Sequence, residues 1–284
     1  ASGADIGRRL LEFGPCTDGT YYYLHEDKYW RVMVFIPDTV SKSGVSPESS
    51  YIVGETFGDF QAMLADIPDT LGESIKDFHN IEFRLQQLRE AMEADKMGRL
   101  AETKDIADEL MKRADDMTRS ERLFREGKLP KRICHCDTKV DNILFDKDEN
   151  VLCVIDLDTV MPSFVFSDYG DFLRSAANTQ PEDSADYDKI EFRMDIFKAF
   201  TEGYLKTARA FLTPIEIENL PYGATLFPYM QTVRFLADYI NGDTYYKTQY
   251  PEHNLVRSKA QFKLLQSVEA HQQEMQAFIA EQLA

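Results

Sequence analysis

The chain has 284 residues, with 32 lysines and arginines against 49 aspartates and glutamates, a net charge of −17 at pH 7, and 43% hydrophobic residues. This composition is that of a folded globular protein rather than a disordered one, and the length allows one large domain or two coupled ones. The acidic excess argues against binding to a nucleic-acid backbone, which requires a basic surface.

Membrane, secreted and zinc-binding classes are excluded by short apolar runs and by cysteine spacing. The longest apolar runs, residues 32–36 and 151–155, are far too short to span a membrane. Residues 1–10 lack the apolar segment of a secretory signal. Cys134 and Cys136 have no second Cys or His pair at zinc spacing, so the cysteines predict reduced thiols in a cytoplasmic protein.

The first predicted elements are two strands. Residues 20–24 and 29–36 are rich in aromatic and β-branched side chains, and the polar segment 25–28 separates them. This pattern predicts an antiparallel hairpin that ends at Pro37.

Helices are predicted on both sides of the middle of the chain. Ser46 followed by Pro47 is typical of a helix start, and Gly54 and Gly58 in that helix allow another element to pack closely. Residues 80–126 are predicted to form a charged helical region that is largely exposed to solvent. The chain from Asp171 to its end is also predicted to be helical.

A second predicted hairpin carries polar residues at both of its strand ends. Residues 143–145 and 151–155 have the pattern of short buried strands. Asp137 and Asn142 precede the first strand, and Asp156 follows the second. Pairing of the strands would place these side chains on one rim, where carboxylate and amide oxygens suit Mg²⁺ and nucleotide phosphates.

These residues match the parts that phosphoryl transfer requires. Asp137 can orient and deprotonate an acceptor hydroxyl, Asn142 and Asp156 can hold Mg²⁺, and Lys139 can reach the transferring phosphoryl group. A lone H-x-D-x-x-x-x-N pattern recurs by chance in turns, but the order of loop, strand, turn and buried strand favours the catalytic interpretation.

With these residues the sequence resembles the aminoglycoside phosphotransferase and choline kinase superfamily. Within that superfamily it most closely resembles the N-acetylhexosamine 1-kinases. The similar stretches are residues 135–142, 155–162 and 168–171 with Arg174. The resemblance implies an α+β, protein-kinase-like bilobal fold with a small β lobe and a large, mostly helical C-lobe. It also implies ATP-dependent phosphorylation of a sugar, an N-acetylhexosamine at its anomeric hydroxyl.

The resemblance carries implied roles over to the catalytic hairpin. Asp137 would be the catalytic base, and Asn142 and Asp156 the Mg²⁺ ligands. Asp158 is a weaker candidate, which would either bind the metal or contact one of the metal ligands. Asp171, after Gly170 at a helix entry, is interpreted as a helix cap rather than as part of the metal site.

Roles outside the hairpin follow from the same resemblance. The backbone of Phe35 and Ile36 would meet the adenine of ATP at the hinge. Sugar recognition would fall to Arg234 and Tyr239, although each could equally be a structural residue. The tyrosines at 245, 246 and 250 could line a sugar site or lie in a surface loop.

The expected division is residues 1–38 as the remainder of a small nucleotide-binding lobe with its hinge, and residues 39–284 as the C-lobe containing the catalytic hairpin 133–158. No Gly-rich loop, strand lysine or partnering helix glutamate precedes the hairpin at 20–36. The sequence therefore predicts an N-terminally incomplete small lobe and a poorly active kinase as it stands.

Two alternatives stay open. One is a kinase of the same fold that phosphorylates choline, ethanolamine, an aminoglycoside or another small alcohol. The other is an inactive kinase-fold module that binds a metabolite or partner, against which the intact Asp137, Asn142 and Asp156 argue. The expected partners are ATP and a small-molecule sugar, with no nucleic acid, membrane or obligate protein partner.

Overall fold

A computed structural model describes residues 8, 10–42, 44–67 and 71–283 of the chain. Its first elements are β1 (Tyr23–His25) and β2 (Lys28–Trp30), which pair antiparallel with Tyr23 opposite Trp30. The predicted hairpin is confirmed, with strands shorter than the apolar runs. All six strand residues are exposed, and beyond β2 the backbone of residues 32–34 pairs with residues 12–14.

Helices make up most of the rest of the described chain. Each is labelled here in chain order: α1 (Pro47–Leu64), α2 (Ile81–Ala94), α3 (Leu100–Met117), α4 (Arg119–Arg125), α5 (Phe166–Ala176), α6 (Met194–Ala208), α7 (Pro214–Glu218), α8 (Leu220–Asn241), α9 (His253–Ala270) and α10 (Gln272–Leu283). None of these described helices is long and apolar enough to cross a membrane.

Helix α1 begins where the sequence predicts. The Ser46 hydroxyl accepts from the Ser49 N–H at 3.2 Å, and the Ser49 hydroxyl accepts from the Ser46 N–H at 2.9 Å. This reciprocal capping box satisfies two backbone donors, and Pro47 occupies the first turn, where no helical N–H bond is needed.

Glycines bring α1 and α6 into close contact, as the sequence indicates for Gly54 and Gly58. A Cβ on Gly54 would lie 2.2 Å from the Phe200 carbonyl oxygen, and one on Gly203 would lie 2.0 Å from the Tyr51 carbonyl oxygen. The two backbones therefore approach at a distance that only glycine permits.

The long helix α8 forms the centre of the hydrophobic core. Nearly all of its residues are buried, and α2, α3, α5 and α9 pack against it. It ends at Gly242, whose φ of +96° gives the left-handed conformation that glycine adopts readily.

Two short antiparallel pairs frame the segment that contains the catalytic motif. Strand β3 (Arg132–Cys134) pairs with β6 (Met161–Ser163), and β4 (Ile143–Phe145) pairs with β5 (Val151–Val154). The predicted pairing of residues 143–145 with residues 151–155 is thus confirmed. The loop from 135 to 142 connects the two pairs, and the segment from 155 to 160 returns between them.

Candidate active site

The loop from 135 to 142, called the catalytic loop below because it contains the predicted catalytic residues, is fixed in part by His135. His135 is completely buried. Its Nε2 lies 2.8 Å from the Ile155 carbonyl oxygen, and its Nδ1 accepts from the Asp137 N–H at 3.3 Å. Because a carbonyl can only accept, these partners assign the neutral tautomer with the proton on Nε2. His135 thus joins the residue that follows β5 to the backbone of Asp137.

The loop backbone is held a second time by the buried carboxylate of Asp168 on α5. It accepts from the N–H of His135 at 3.0 Å, the N–H of Cys136 at 2.7 Å and Nε2 of Gln61 at 2.7 Å. Burial raises the pKa of Asp168 and these donors oppose the rise. The same contacts stabilise Cys136 in a left-handed conformation with φ of +63°, which is strained for a residue with a Cβ.

Three of the predicted catalytic residues lie together. Oδ2 of Asp137 accepts from Nδ2 of Asn142 at 3.1 Å and from Nζ of Lys139 at 2.9 Å. The same Asn142 nitrogen donates to the Asp137 carbonyl oxygen at 2.8 Å. One carboxylate oxygen is therefore held by a neutral and a charged donor, and neither donor bonds to the other oxygen.

Lys139 stays charged in this position. Burial works against its ammonium group, but the hydrogen bond and negative charge of Asp137 outweigh burial and raise the pKa of Lys139. A permanent positive charge thus lies 2.9 Å from the predicted catalytic base.

Asn142 and Asp156 are neighbours through their backbones. The Ile155 N–H donates to the Asn142 carbonyl oxygen at 2.9 Å, and Asp156 follows in a left-handed conformation with its side chain exposed. Because the Asn142 amide nitrogen is directed at Asp137, its amide oxygen points away from that residue. One amide oxygen and one carboxylate at the same strand ends fit Mg²⁺ bound largely by nucleotide phosphates and water.

No cluster of three or more His, Cys, Asp or Glu side chains suited to a metal ion occurs in the described part of the chain. Asp158, the weaker metal candidate, forms an ion pair with Arg31, whose guanidinium lies 4.8 Å from the centre of the Phe13 ring. Asp158 thereby links the segment from 155 to 160 to the β-rich residues near the start of the chain. Its metal role stays a prediction.

The residues predicted to meet adenine differ in exposure. Phe35 is 82% exposed, whereas Ile36 is 6% exposed and packs on Leu152 and Cys153 of β5. The hinge segment is thus attached to the catalytic hairpin by the Ile36 side chain.

The interpretation of Asp171 as a helix cap is wrong. Helix α5 begins at Phe166, so Asp171 lies in its second turn, where its Oδ1 accepts from Nε and Nη2 of Arg174 at 3.1 and 3.0 Å. Arg174 also pairs with Glu182. Burial raises the pKa of Asp171, Arg174 opposes the rise, and the negative charge of Asp137 adds to it. Asp171 therefore lies close enough to the Asp137 carboxylate for the two negative charges to act on each other.

A cleft of about 220 Å³ contains the predicted sugar residue Arg234. The Arg234 guanidinium lies 5.2 Å from the centre of the Phe78 ring and 5.5 Å from that of Tyr246. Phe78 in turn packs against the cluster of Cys134, Cys136 and Met161. One aromatic ring therefore connects the cleft with the residue that precedes Asp137.

The other predicted sugar residue, Tyr239, does not line this cleft. Its hydroxyl donates to Oε1 of Glu102 at 2.7 Å, and Arg99 lies over its ring at 4.3 Å. On one helix, residues five positions apart differ by about 140° in direction, which separates Tyr239 from Arg234. Contact between Tyr239 and a sugar stays a prediction.

Asp238, which the sequence analysis did not select, shapes one wall of the cleft. Its carboxylate accepts from the backbone N–H groups of Thr244 at 2.9 Å, Tyr245 at 2.9 Å and Tyr246 at 3.0 Å. Tyr245 and Tyr246 consequently line the cleft, whereas Tyr250 stacks on His253 elsewhere. The sequence gives little signal for Asp238, because its partners lie on a loop without regular structure.

With this geometry in place, the comparison with known families is decisive. Residues 12–208 match the sequence model of the phosphotransferase enzyme family, APH. The chain belongs to the APH phosphotransferase family. It is accordingly an ATP-dependent phosphotransferase of the APH type.

Solved structures share its fold. An aminoglycoside phosphotransferase from Alicyclobacillus acidocaldarius superposes with a TM-score of 0.65 at 12% identity, covering 96% of this chain and 78% of that one. A choline kinase from Cryptosporidium parvum gives 0.54 at 12% identity, covering 91% and 76%. An ethanolamine kinase from Plasmodium vivax gives 0.53 at 15% identity, covering 90% and 69%. These likenesses confirm the α+β kinase-like fold that the motifs imply.

Proposed function

We propose that this APH-family protein transfers the γ-phosphoryl group of ATP to a sugar, an N-acetylhexosamine at its anomeric hydroxyl. The observation that carries the proposal is the arrangement of Asp137, Lys139 and Asn142, in which both donors hold one oxygen of the Asp137 carboxylate and neither bonds to the other oxygen. A carboxylate held in this way can receive a hydroxyl proton without first being reoriented.

The reaction follows from these positions. The acceptor oxygen forms a bond to the γ-phosphorus while the bond from that phosphorus to the β–γ bridging oxygen breaks. The hydroxyl proton passes to the oxygen of Asp137 that Lys139 and Asn142 do not occupy, and ADP leaves. Lys139 offsets negative charge on the transferring group, and His135 keeps the Asp137 backbone in place.

Asn142 and Asp156 are the residues that would hold Mg²⁺, which when bound neutralises charge on the nucleotide phosphates. The adenine would lie against the segment containing Phe35 and Ile36. Support for this placement comes from Ile36, which packs on β5 and keeps the segment close to the strand that leads to Asp156.

The cleft around Arg234 favours a sugar over the cationic acceptors of related folds. Arg84 and Arg234 would repel the positive charge of choline, ethanolamine or an aminoglycoside. Gln87 and Asn241 supply amide groups for hydroxyls, and the rings of Tyr245 and Tyr246 supply aromatic surface. Together these side chains suit a hydroxyl-rich ring.

The test is ADP release from ATP and Mg²⁺ with a panel of N-acetylhexosamines, choline, ethanolamine and an aminoglycoside. Asp137→Asn should lower kcat by about 10² to 10⁴-fold through loss of the general base, with ATP affinity retained. Asp141→Asn is the matched control, because Asp141 is an exposed carboxylate in the same loop.

Turnover of choline or an aminoglycoside in preference to sugars would overturn the choice of acceptor. Full activity of Asp137→Asn would overturn the assignment of the base. Binding of ATP without turnover of any acceptor would favour the inactive kinase-fold module.

A further inference from the structure

The cleft around Arg234 contains two arginines, Arg84 and Arg234, that lack carboxylate partners within the described residues. Arg84 donates from Nε and Nη2 to the Phe78 carbonyl oxygen at 3.2 and 2.9 Å, and from Nη1 to Oε1 of Gln87 at 2.9 Å. Arg234 donates from Nη1 to Oε1 of Gln231 at 3.0 Å. All of these acceptors are neutral, so they orient the guanidinium groups without neutralising them.

The two positive charges also act on each other. Burial and the charge of Arg234 lower the pKa of Arg84 to about 10, and the nearby Asp77 and the two cleft tyrosines offset this only in part. Like charges brought together in a partly buried place destabilise the unliganded fold. A negatively charged ligand would remove this repulsion.

The carboxylates nearest to the cleft are already occupied. Asp238 accepts the three backbone N–H groups of the following loop and also Nδ2 of Asn254 at 2.9 Å. Glu182 pairs with Arg174, and Asp77 accepts from Nδ2 of Asn80 at 2.8 Å. Asp238 and Asp77 keep their negative charge because their partners are neutral, but none of these three carboxylates forms an ion pair with Arg84 or Arg234 among the described residues.

A polar group in the cleft lining has no partner of its own. The hydroxyl oxygen of Tyr246 is buried without a hydrogen-bond partner among the described residues. Tyr246 lies in the same lining as Arg84 and Arg234, and the cleft volume of about 220 Å³ leaves room for part of a small ligand. A buried hydroxyl without a partner is costly, and a ligand oxygen would satisfy it.

We propose that Arg84 and Arg234, with the Tyr246 hydroxyl, bind an anionic group of the acceptor, a carboxylate or a phosphate, so that the preferred acceptor is an N-acetylhexosamine that carries such an acidic group. The proposal rests on the proposed function in taking this cleft as the acceptor site. Phe78 separates the arginines from Cys136, so the anionic group lies at a distance from the hydroxyl that Asp137 deprotonates. The transfer step itself is unchanged.

The experiment compares binding of charged and neutral sugars by calorimetry, independently of turnover. Glucuronate is paired with glucose, and N-acetylglucosamine 6-phosphate with N-acetylglucosamine. The wild-type protein should bind at least one charged member about ten- to a hundredfold more tightly than its neutral partner, as charge-assisted hydrogen bonds allow. The charged pair that shows the preference identifies carboxylate or phosphate as the ligand group.

Variants assign the preference to the arginine pair. Arg84→Gln and Arg234→Gln should each lose most of the preference for the charged sugar. Arg234→Lys, which keeps the positive charge, should retain part of that preference. Arg89→Gln, an exposed change on the same helix as Arg84, should leave it unchanged. Thermal unfolding of each variant shows whether the fold persists, and Arg234→Gln removes only one internal hydrogen bond if Arg84→Gln does not fold.

Equal affinity for charged and neutral sugars, or a preference that survives both glutamine variants, would overturn the anionic site. Phosphorylation of neutral sugars in that case would leave the proposed function standing. Selective binding of charged sugars that are not phosphorylated would instead support the anionic site and contradict the proposed function.

Discussion

At the scale of single residues, Asp168 and Asp238 have the same structural role in two different loops. Each is a buried carboxylate on a helix that accepts several N–H groups from an irregular segment, the catalytic loop for Asp168 and residues 244–246 for Asp238. Hydrogen bonds of this kind to a charged acceptor are strong, and they fix backbone that secondary structure does not. The two walls of the candidate site therefore depend on residues that do not act on the substrate.

Cysteine reactivity is a second property decided residue by residue. Burial raises the pKa of Cys153 to about 11 and raises the pKa of Cys134 and Cys136 well above the usual range, whereas Cys16 is only partly buried. Since the thiolate is the reactive form, at pH 8 a chromogenic disulfide reagent should react rapidly with the partly exposed thiol of Cys16 and much more slowly with the three buried thiols.

The pH dependence has a definite sign. The slow reaction of Cys153 should accelerate as pH rises toward 11, because the thiolate fraction increases until its pKa is reached. Cys16→Ser should remove the rapid phase, and urea should expose all remaining thiols. Two or more rapid thiols in the native protein would contradict the buried positions.

At the scale of elements, the start of a helix could be predicted where a side chain caps it, as in α1. The start of α5, which has no side-chain cap, could not be predicted. Ser46 and Pro47 carry a local signal, and α1 begins there. Helix α5 begins at Phe166 after Val165, with no side-chain cap, so the sequence pointed to Gly170 and Asp171 instead. Tertiary packing of a fully buried first turn replaces the missing cap.

The close contact between α1 and α6 predicts that a side chain added at the contact will destabilise the protein. Gly203→Ala should lower the free energy of unfolding by about 1–3 kcal/mol, because its methyl group would overlap the Tyr51 carbonyl oxygen. The change is expected despite the gain of up to about 1 kcal/mol in helix propensity that alanine brings. Urea denaturation followed by circular dichroism measures it.

A matched control is Gly72→Ala, since a Cβ at Gly72 meets nothing within 4 Å. That variant should keep the wild-type midpoint. Unchanged stability of Gly203→Ala would show that the two helices are not in the close contact described.

At the scale of the whole molecule, the β-rich residues and the helical core differ in burial. The strands β1 and β2 are exposed on all their residues, whereas α8 is buried along most of its length. Regions with few buried apolar contacts open at lower free energy than a packed core. We therefore expect the β1–β2 hairpin to lose its structure before the helices do.

The chain has one tryptophan, Trp30 in β2, which reports on this hairpin. Its fluorescence should already be strongly quenched by acrylamide in the native protein, because the side chain is 58% exposed. In urea, the change in Trp30 fluorescence should precede the change in circular dichroism, which follows the helices. Trp30→Phe should leave the circular dichroism transition in place, and coincident transitions in the wild type would contradict separate unfolding.

The sequence by itself determined the catalytic hairpin and the class of chemistry. Asp137, Asn142 and Asp156 are close along the chain, and two short strands with a tight turn between them are enough to bring their ends together. Alternation of short apolar runs with polar turns is a local property, so it could be predicted without knowledge of distant contacts.

The cleft that we propose for the acceptor could be recognised only from the tertiary structure. Phe78, Arg84, Arg234 and Tyr246 come from three separate stretches of sequence, and no spacing rule relates them. They meet because α2 packs on α8 and because Asp238 holds the loop after α8. The same dependence explains why Arg234 was found from its motif, whereas its partner Arg84 became recognisable only once the helices were in place.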